Sequence, residues 1–189
     1  NGVTWTFDYD AGTLTIGGEG AMKNYSYSVT AGSAAPWACT MRNVREFVTK
    51  IVIGKDVTSI GQYAFYGMEN ATEIVFEEGS ALTTIATGAI GYTGIKNIVF
   101  PASLTTIEAN GVYFNAALES ISFEEGTALT TIGNYAFRDC TALTSATLPA
   151  SLTSIGAKIF YKSPSVVVTA PAGSVAANYA VNNGYALAE

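Results

Sequence analysis

Residues 129–140 read LTTIGNYAFRDC, and residues 57–68 read VTSIGQYAFYGM. The same phrase, aligned on its isoleucine, marks Ile60, Ile85, Ile107, Ile132 and Ile155, in steps of 25, 22, 25 and 23 residues. A second landmark keeps the same beat: KIVIG, EIVFE, NIVFP, SISFE and SATLP. Each is an alternating apolar segment, which is the signature of a short half-buried strand. An apolar residue precedes each by three positions, at Val48, Ala71, Ile95, Leu118 and Leu143. Two coupled landmarks recurring five times decide the fold class.

A period in the low twenties predicts a solenoid, because a unit this small cannot bury its own apolar face and relies on its neighbours. The predicted fold is a right-handed stack of short parallel strands and turns of leucine-rich-repeat type. Inward strand residues form one wall. The Ile-Gly turn and the Ala-Phe pair, as at Ala64/Phe65 and Ala136/Phe137, form the opposite one. Phe65 and Phe137 read as core plugs. Gly61, Gly133 and Gly156 suit tight corners with positive φ, although Ala86 stands in the same place in one unit. Pro101 and Pro149 close their strands, where a missing amide hydrogen is tolerated.

The stack needs covers at both ends. Residues 3–20, VTWTFDYDAGTLTIGGEG, read as a hairpin with Trp5 as an anchor. Ala35–Trp37 pins the following connection, with Trp37 either packed or partly exposed. At the far end GSVAANYAVNNG reads as a short helix capped by Ser174, with Val175, Tyr179 and Ala176 on its packed face and Asn183-Gly184 ending it. The expected layout is one domain: an N-terminal cap over 1–47, stacked repeats over 48–170 and a C-terminal cap over 171–189.

Composition narrows the function. The chain has no histidine and a net charge of -6, which disfavours imidazole chemistry and a phosphate-reading surface. No nucleic acid is expected as a partner. No run of apolar residues is long enough to span a membrane directly. Cys39 and Cys140 lie 101 residues apart, a spacing that matches no metal motif, and a disulfide between them stays open. No cofactor or metal site is expected.

The phrases VTSIGQYAFYG at 57–67 and LTTIGNYAFRDCTALTSATLPASLTSIGAKIF at 129–160 resemble the BspA-like, or treponemal-type, leucine-rich repeats of bacterial surface proteins. The opening GTLTIGGEGAM followed by APW and the closing Gly-Ser-x-Ala-x-x-Tyr-Ala at 173–180 are similar to segments flanking such repeats. The resemblance implies a secreted or cell-surface bacterial protein, in some members an adhesin for host or bacterial partners, with no shared catalytic constellation. The family's cysteine position is filled by Cys140 and, in the other units, by Met68, Thr93, Asn115 and Ser163. The asparagine that other leucine-rich repeats carry after the strand is replaced by Pro or Glu.

Two sets of polar residues were weighed for chemistry. Glu77/Glu78 and Glu124/Glu125 recur two coils apart and read chiefly as solvated turn residues, with an acidic partner patch or a calcium site as the sharper alternatives. Cys140 reads as a structural thiol, because no histidine exists to activate it. The leading expectation is therefore a noncatalytic recognition or adhesion module for an extracellular protein or glycan. Its partner-facing row would be the outward strand residues Lys50, Val52, Glu73, Val75, Asn97, Val99, Ser120, Ser122, Ser145 and Thr147. A structural spacer in a larger surface protein is the main alternative, and a carboxylate- or thiol-based enzyme the remote one. The sequence assigns no oligomeric state.

Overall fold

The computed structural model of the chain describes residues 2–28, 34–38 and 44–188. Cys39 lies outside them, so the question of a Cys39–Cys140 disulfide does too. Among the described residues fifteen strands, numbered in chain order, wind into a solenoid. The hairpin β1 (Val3–Asp8) and β2 (Thr13–Gly18) opens it, and β2 pairs in parallel with β4 (Lys50–Ile53), which pairs with β6 (Glu73–Phe76). The same wall continues as β8 (Asn97–Phe100), β10 (Ser120–Phe123), β12 (Ser145–Thr147), β14 (Val167–Thr169) and β15 (Ala186–Ala188). A second wall stacks β3 (Gly20–Ala21), β5 (Val57–Ile60), β7 (Thr84–Ile85), β9 (Thr106–Ile107), β11 (Thr131–Ile132) and β13 (Ser154–Ile155). The predicted parallel repeat stack and its hairpin cover are thus observed.

The first wall breaks between β6 and β8, and Pro101 accounts for it. After each neighbouring strand an amide reaches back to the previous coil: Gly54 to the Ile16 carbonyl at 2.8 Å, Glu77 to Ile53 at 2.9 Å and Glu124 to Phe100 at 2.9 Å. Pro101 has no hydrogen to give Phe76, so the ladder lapses there. Pro149 withholds the equivalent bond one repeat pair later, and there β10 and β12 stay paired over two register positions.

The core is one continuous column. Ile60, Ile85, Ile107 and Ile132 are fully buried, and the partly buried Ile155 packs against the same cluster. Phe65 and Phe137 are fully buried plugs, as expected, and Phe137 stacks on Phe160 at 5.8 Å. Aromatic rings close both ends of this file. Trp37, 1% exposed, stacks on Phe65 at 5.7 Å and donates its indole N–H to the Ala64 carbonyl at 2.8 Å. Tyr185 meets Phe160 edge-on at 5.5 Å. Trp37 is therefore packed, and the partly exposed alternative is set aside.

Two local expectations are corrected. Gly61, Gly133 and Gly156 are not among the residues with positive φ. They are glycines because a Cβ would strike neighbouring backbone: the Lys23 carbonyl, the Ala109 amide and the Asn134 amide respectively. The C-terminal helix α1 (Val175–Asn182) is present and Ser174 caps it, its hydroxyl accepting from the Ala177 amide. Ala176 is buried and Tyr179 packs half-buried against the core, as expected, but Ala177 and Ala180 complete the buried face and Val175 is exposed. Small residues let the helix sit close over the last coil, and a branched Val175 would not fit beneath it. After α1 the chain returns as β15 to pair with β14, a strand the sequence reading did not anticipate.

The third wall is made of turns. Each coil places two left-handed residues four apart: Tyr63/Gly67, Gly88/Tyr92, Asn110/Phe114, Tyr135/Asp139 and Lys158/Lys162, with φ between 52° and 73°. Their amides donate forward to the next coil, as Asn110 to Asn134 at 3.0 Å, Val112 to Ala136 at 2.9 Å and Phe114 to Arg138 at 2.8 Å. The peptide dipoles of this wall consequently point one way, with the N–H pole toward the C-terminal end.

Candidate functional surfaces

The ten outward strand residues lie on the first wall, four before the gap between β6 and β8 and six after it. Lys50 opposes Glu73, Val52 opposes Val75, Asn97 and Ser145 flank Ser120, and Val99 opposes Ser122. Their side chains interact across coils: Lys50 Nζ meets Glu73 Oε1 at 3.0 Å, and Ser120 Oγ donates to Asn97 Oδ1 at 2.6 Å. Glu73, Asn97, Ser145 and Thr147 are exposed and Val99 is 56% exposed, whereas Lys50, Val52, Val75, Ser120 and Ser122 are half-buried. The geometry makes two patches, one holding the Lys50–Glu73 pair before the gap and an uncharged one after it. It brings no acid–base pair together.

The repeated glutamates have a backbone task. Glu77 Oε2 accepts from the Lys55 amide at 3.0 Å, and Glu124 Oε2 from the Ala102 amide at 2.9 Å. Each ties its own coil to the one before it, so these carboxylates are directed along the stack rather than gathered around an ion. Among the described residues no group of three or more Cys, Asp or Glu is placed to hold a metal.

Cys140 sits in a column that needs a donor. Its Sγ lies 3.4 Å from the Val112 carbonyl. Asn115 Nδ2 makes the equivalent bond to the Ile90 carbonyl at 2.7 Å, and Ser163 Oγ to Phe137 at 3.3 Å. These carbonyls are buried, and an unpaired one is costly. Burial pushes the Cys140 thiol up to about 12, leaving it protonated and unreactive at neutral pH. A neighbouring file explains the recurring threonines. Thr83, Thr105, Thr130 and Thr153 each donate a hydroxyl to the carbonyl of the threonine one coil earlier, at 3.1, 2.9, 3.3 and 3.2 Å.

A further surface was not foreseen. Aromatic rings run along the turn wall: Tyr63 meets Tyr66 at 5.8 Å, Tyr66 meets Tyr92 at 5.1 Å, and Tyr92 stacks on Phe114 at 4.6 Å. Arg138 lies over Phe114 at 4.9 Å and Tyr135 at 5.9 Å, and Tyr135 meets Tyr161 at 6.1 Å. Glycines make seats for the rings, since a Cβ on Gly91 would stand 2.5 Å from Tyr113 and 3.3 Å from Tyr66. The Tyr66 and Tyr113 rings lie 6.3 Å apart. Burial, reinforced by the neighbouring phenols, pushes both above the ordinary value, so these two stay protonated at neutral pH. The signal in the sequence was aromatic residues recurring at three places past the marker isoleucine: Tyr63 and Tyr135, then Tyr66, Tyr113 and Tyr161, then Tyr92 and Phe114. None of these columns is aromatic in every coil.

The family model for the BspA type leucine rich repeat region matches residues 44–168 in six copies. The chain belongs to the BspA-type leucine-rich-repeat family. Among curated proteins none matches it in sequence. Of solved structures, the pneumococcal vaccine antigen PcpA is similar at 20% identity with a TM-score of 0.66, over 92% of this chain and 49% of that one. The T. pallidum leucine-rich-repeat protein is similar at 19% identity with a TM-score of 0.48, over 90% and 70% of the two chains. The BspA-type chain thus spans about half the PcpA chain, and the PcpA likeness is one of fold. No helix among the described residues is long and apolar enough to cross a membrane.

Proposed function

We propose that this BspA-type chain is a noncatalytic recognition module presented at a bacterial cell surface, meeting an extracellular protein or glycan with the outward row of its strands. The observation that supports this most is the division of labour within each strand. Inward residues such as Ile51, Ile98 and Ile121 are buried in the core, and the backbone is held by the interstrand ladders. Outward residues such as Val99 and Ser145 can therefore change without loss of the frame. Family membership supports the surface location.

The test is an extracellular protein and glycan array probed with the wild-type chain and with Val99→Glu/Ser122→Arg. The expected result is a partner bound by the wild type and lost in the variant, with the same melting temperature. A panel of bound partners indifferent to the variant would sink the strand-row reading. That result would favour the spacer alternative, which the mutual pairing of Lys50 with Glu73 and Ser120 with Asn97 supports.

A further inference from the structure

The dipeptide Asn-Gly occurs three times, at Asn1-Gly2, Asn110-Gly111 and Asn183-Gly184. It is the step of a polypeptide most open to deamidation, because glycine has no side chain to shield its amide nitrogen from the carboxamide beside it. Asn1 lies outside the described residues. The other two steps share a sequence and have opposite surroundings. Asn110-Gly111 is locked into the turn wall. The Asn110 amide donates to the Asn134 carbonyl at 3.0 Å, and the Asn110 and Gly111 carbonyls accept from Gly88 at 3.2 Å and Ile90 at 2.9 Å. Gly111 is buried, as is Asn110 Oδ1. To move this peptide the chain must part coils on both sides of it, which is close to unfolding the stack.

Asn183-Gly184 joins α1 to β15, and both residues are exposed. Asn183 closes the helix at φ -106° and ψ 7°, and Gly184 turns the chain at φ 74°. The Gly184 amide donates to Val181 at 3.2 Å and the Tyr185 amide to Ala180 at 2.9 Å, the paired bonds of a glycine-terminated helix. Asn183 Nδ2 donates to the Tyr179 carbonyl at 2.9 Å. These bonds hold Asn183 away from reaction only while the last turn is closed. That turn ends a helix of eight residues, and helix ends fray at little cost. Glycine is required at position 184 for its left-handed φ, and the same glycine leaves the Asn183 carboxamide with an unshielded neighbour.

We propose that Asn183 is a site of spontaneous deamidation and that the reaction unfastens the C-terminal cover. In the opened turn the Gly184 nitrogen attacks Asn183 Cγ. The N–Cγ bond forms, the Cγ–Nδ2 bond breaks, and the Gly184 amide proton leaves with that nitrogen as ammonia. Water then opens the cyclic imide at either carbonyl. One opening leaves aspartate; the other leaves isoaspartate, in which the main chain runs through Cβ. Nothing is oxidised or reduced. Both products lose the Nδ2 donor to Tyr179 and place a carboxylate at the negative pole of α1. Isoaspartate also lengthens the backbone between α1 and β15. The extra atom moves Tyr185 from its contacts with Phe160 at 5.5 Å and Tyr179 at 6.2 Å. It also disturbs the register of Ala186–Ala188 on Val167–Thr169.

The experiment ages the whole chain at pH 8.5, in native buffer and in urea, beside Asn183→Gln, which keeps an amide but closes the larger ring slowly. Samples at pH 5 are the unreacted control. Tandem mass spectrometry locates each gain of one mass unit and sets Asn1 apart, isoaspartyl methyltransferase labels the isoaspartate, and melting is followed by circular dichroism. In native buffer Asn183 is expected to convert about tenfold faster than Asn110, or more, because only its turn opens locally. In urea the two rates should converge. The melting temperature of the wild type should fall in step with conversion, while Asn183→Gln keeps its own. The proposal is overturned if Asn183 stays intact in native buffer while the urea sample converts, if Asn110 keeps pace with it there, or if their ratio persists in urea. It is equally overturned by a converted chain that melts like a fresh one, or by an equal fall in Asn183→Gln.

Discussion

The column of Met68, Thr93, Asn115, Cys140 and Ser163 shows how one buried position can be met by different chemistries. What the site asks for is a donor to the carbonyl of the previous coil, made by Asn115, Cys140 and Ser163 to Ile90, Val112 and Phe137. Asn115 does more, since its Oδ1 also accepts from the Thr93 amide at 2.7 Å and its Nδ2 reaches Val112 at 3.0 Å. Asn115→Leu should therefore cost about 3 kcal/mol in urea denaturation, because it strands several buried groups. Cys140→Ser should cost about 1 kcal/mol or less, because the hydroxyl can make the same bond as Ser163. The thiol also predicts a pH dependence. Burial raises Cys140 in the folded chain from an ordinary 9.0 to about 12. Its contribution to stability is whole below pH 9 and is lost as pH climbs toward 12. Denaturation series from pH 8 to 11 should show a falling limb that is shallower in Cys140→Ser.

At the scale of the elements, hydrogen bonds between coils outlast the strands that contain them. The second-wall strands are mostly two residues long, too short to be stable alone. The threonine file supplements them: the Thr83 carbonyl accepts both the amide and the hydroxyl of Thr105, each at 2.9 Å. Thr105→Val keeps shape and strand propensity and removes one donor. It should lower stability by about 1 kcal/mol, measured by chemical denaturation against the wild type. Loss of nothing would mean that the hydroxyl trades its carbonyl for water at no cost. The same scale explains Glu77 and Glu124, turn residues as expected, whose carboxylates also tie one turn to the turn before it.

For the whole molecule, stability is carried from coil to coil, and the ends decide whether the file of buried side chains stays closed. Trp37 and Tyr185 cover its two ends, and Tyr179 gives an acceptor to an amide of the last coil. Removing residues 174–188 deletes α1 and β15 and uncovers Phe160 and Val168, which are 1% and 0% exposed. The truncated chain should melt well below the full one and associate on size-exclusion chromatography, because an open solenoid end exposes both apolar core and unpaired strand edge. An unchanged melting curve would show that the last coils close themselves.

The repeat, the inward residues of the strands, the hairpin and the helical cover were legible in the sequence. Each is written in local periodicity: Ile51/Ile53 alternate, Ser174 precedes its helix, and the Ile60 to Ile155 series keeps step. Local periodicity says which face of a segment turns inward, since burial depends on alternation along the segment itself. Three things were decided only when coils met. Gly61 and Gly133 answer to the backbone of the neighbouring coil and not to their own dihedrals. Glu77 and Asn115 reach across to another repeat for their partners. The aromatic stripe assembles across coils, Tyr66 beside Tyr92 beside Phe114, because stacking sets the turn wall of one repeat against that of the next. Contacts of that kind join residues a whole repeat apart, and stacking alone creates them.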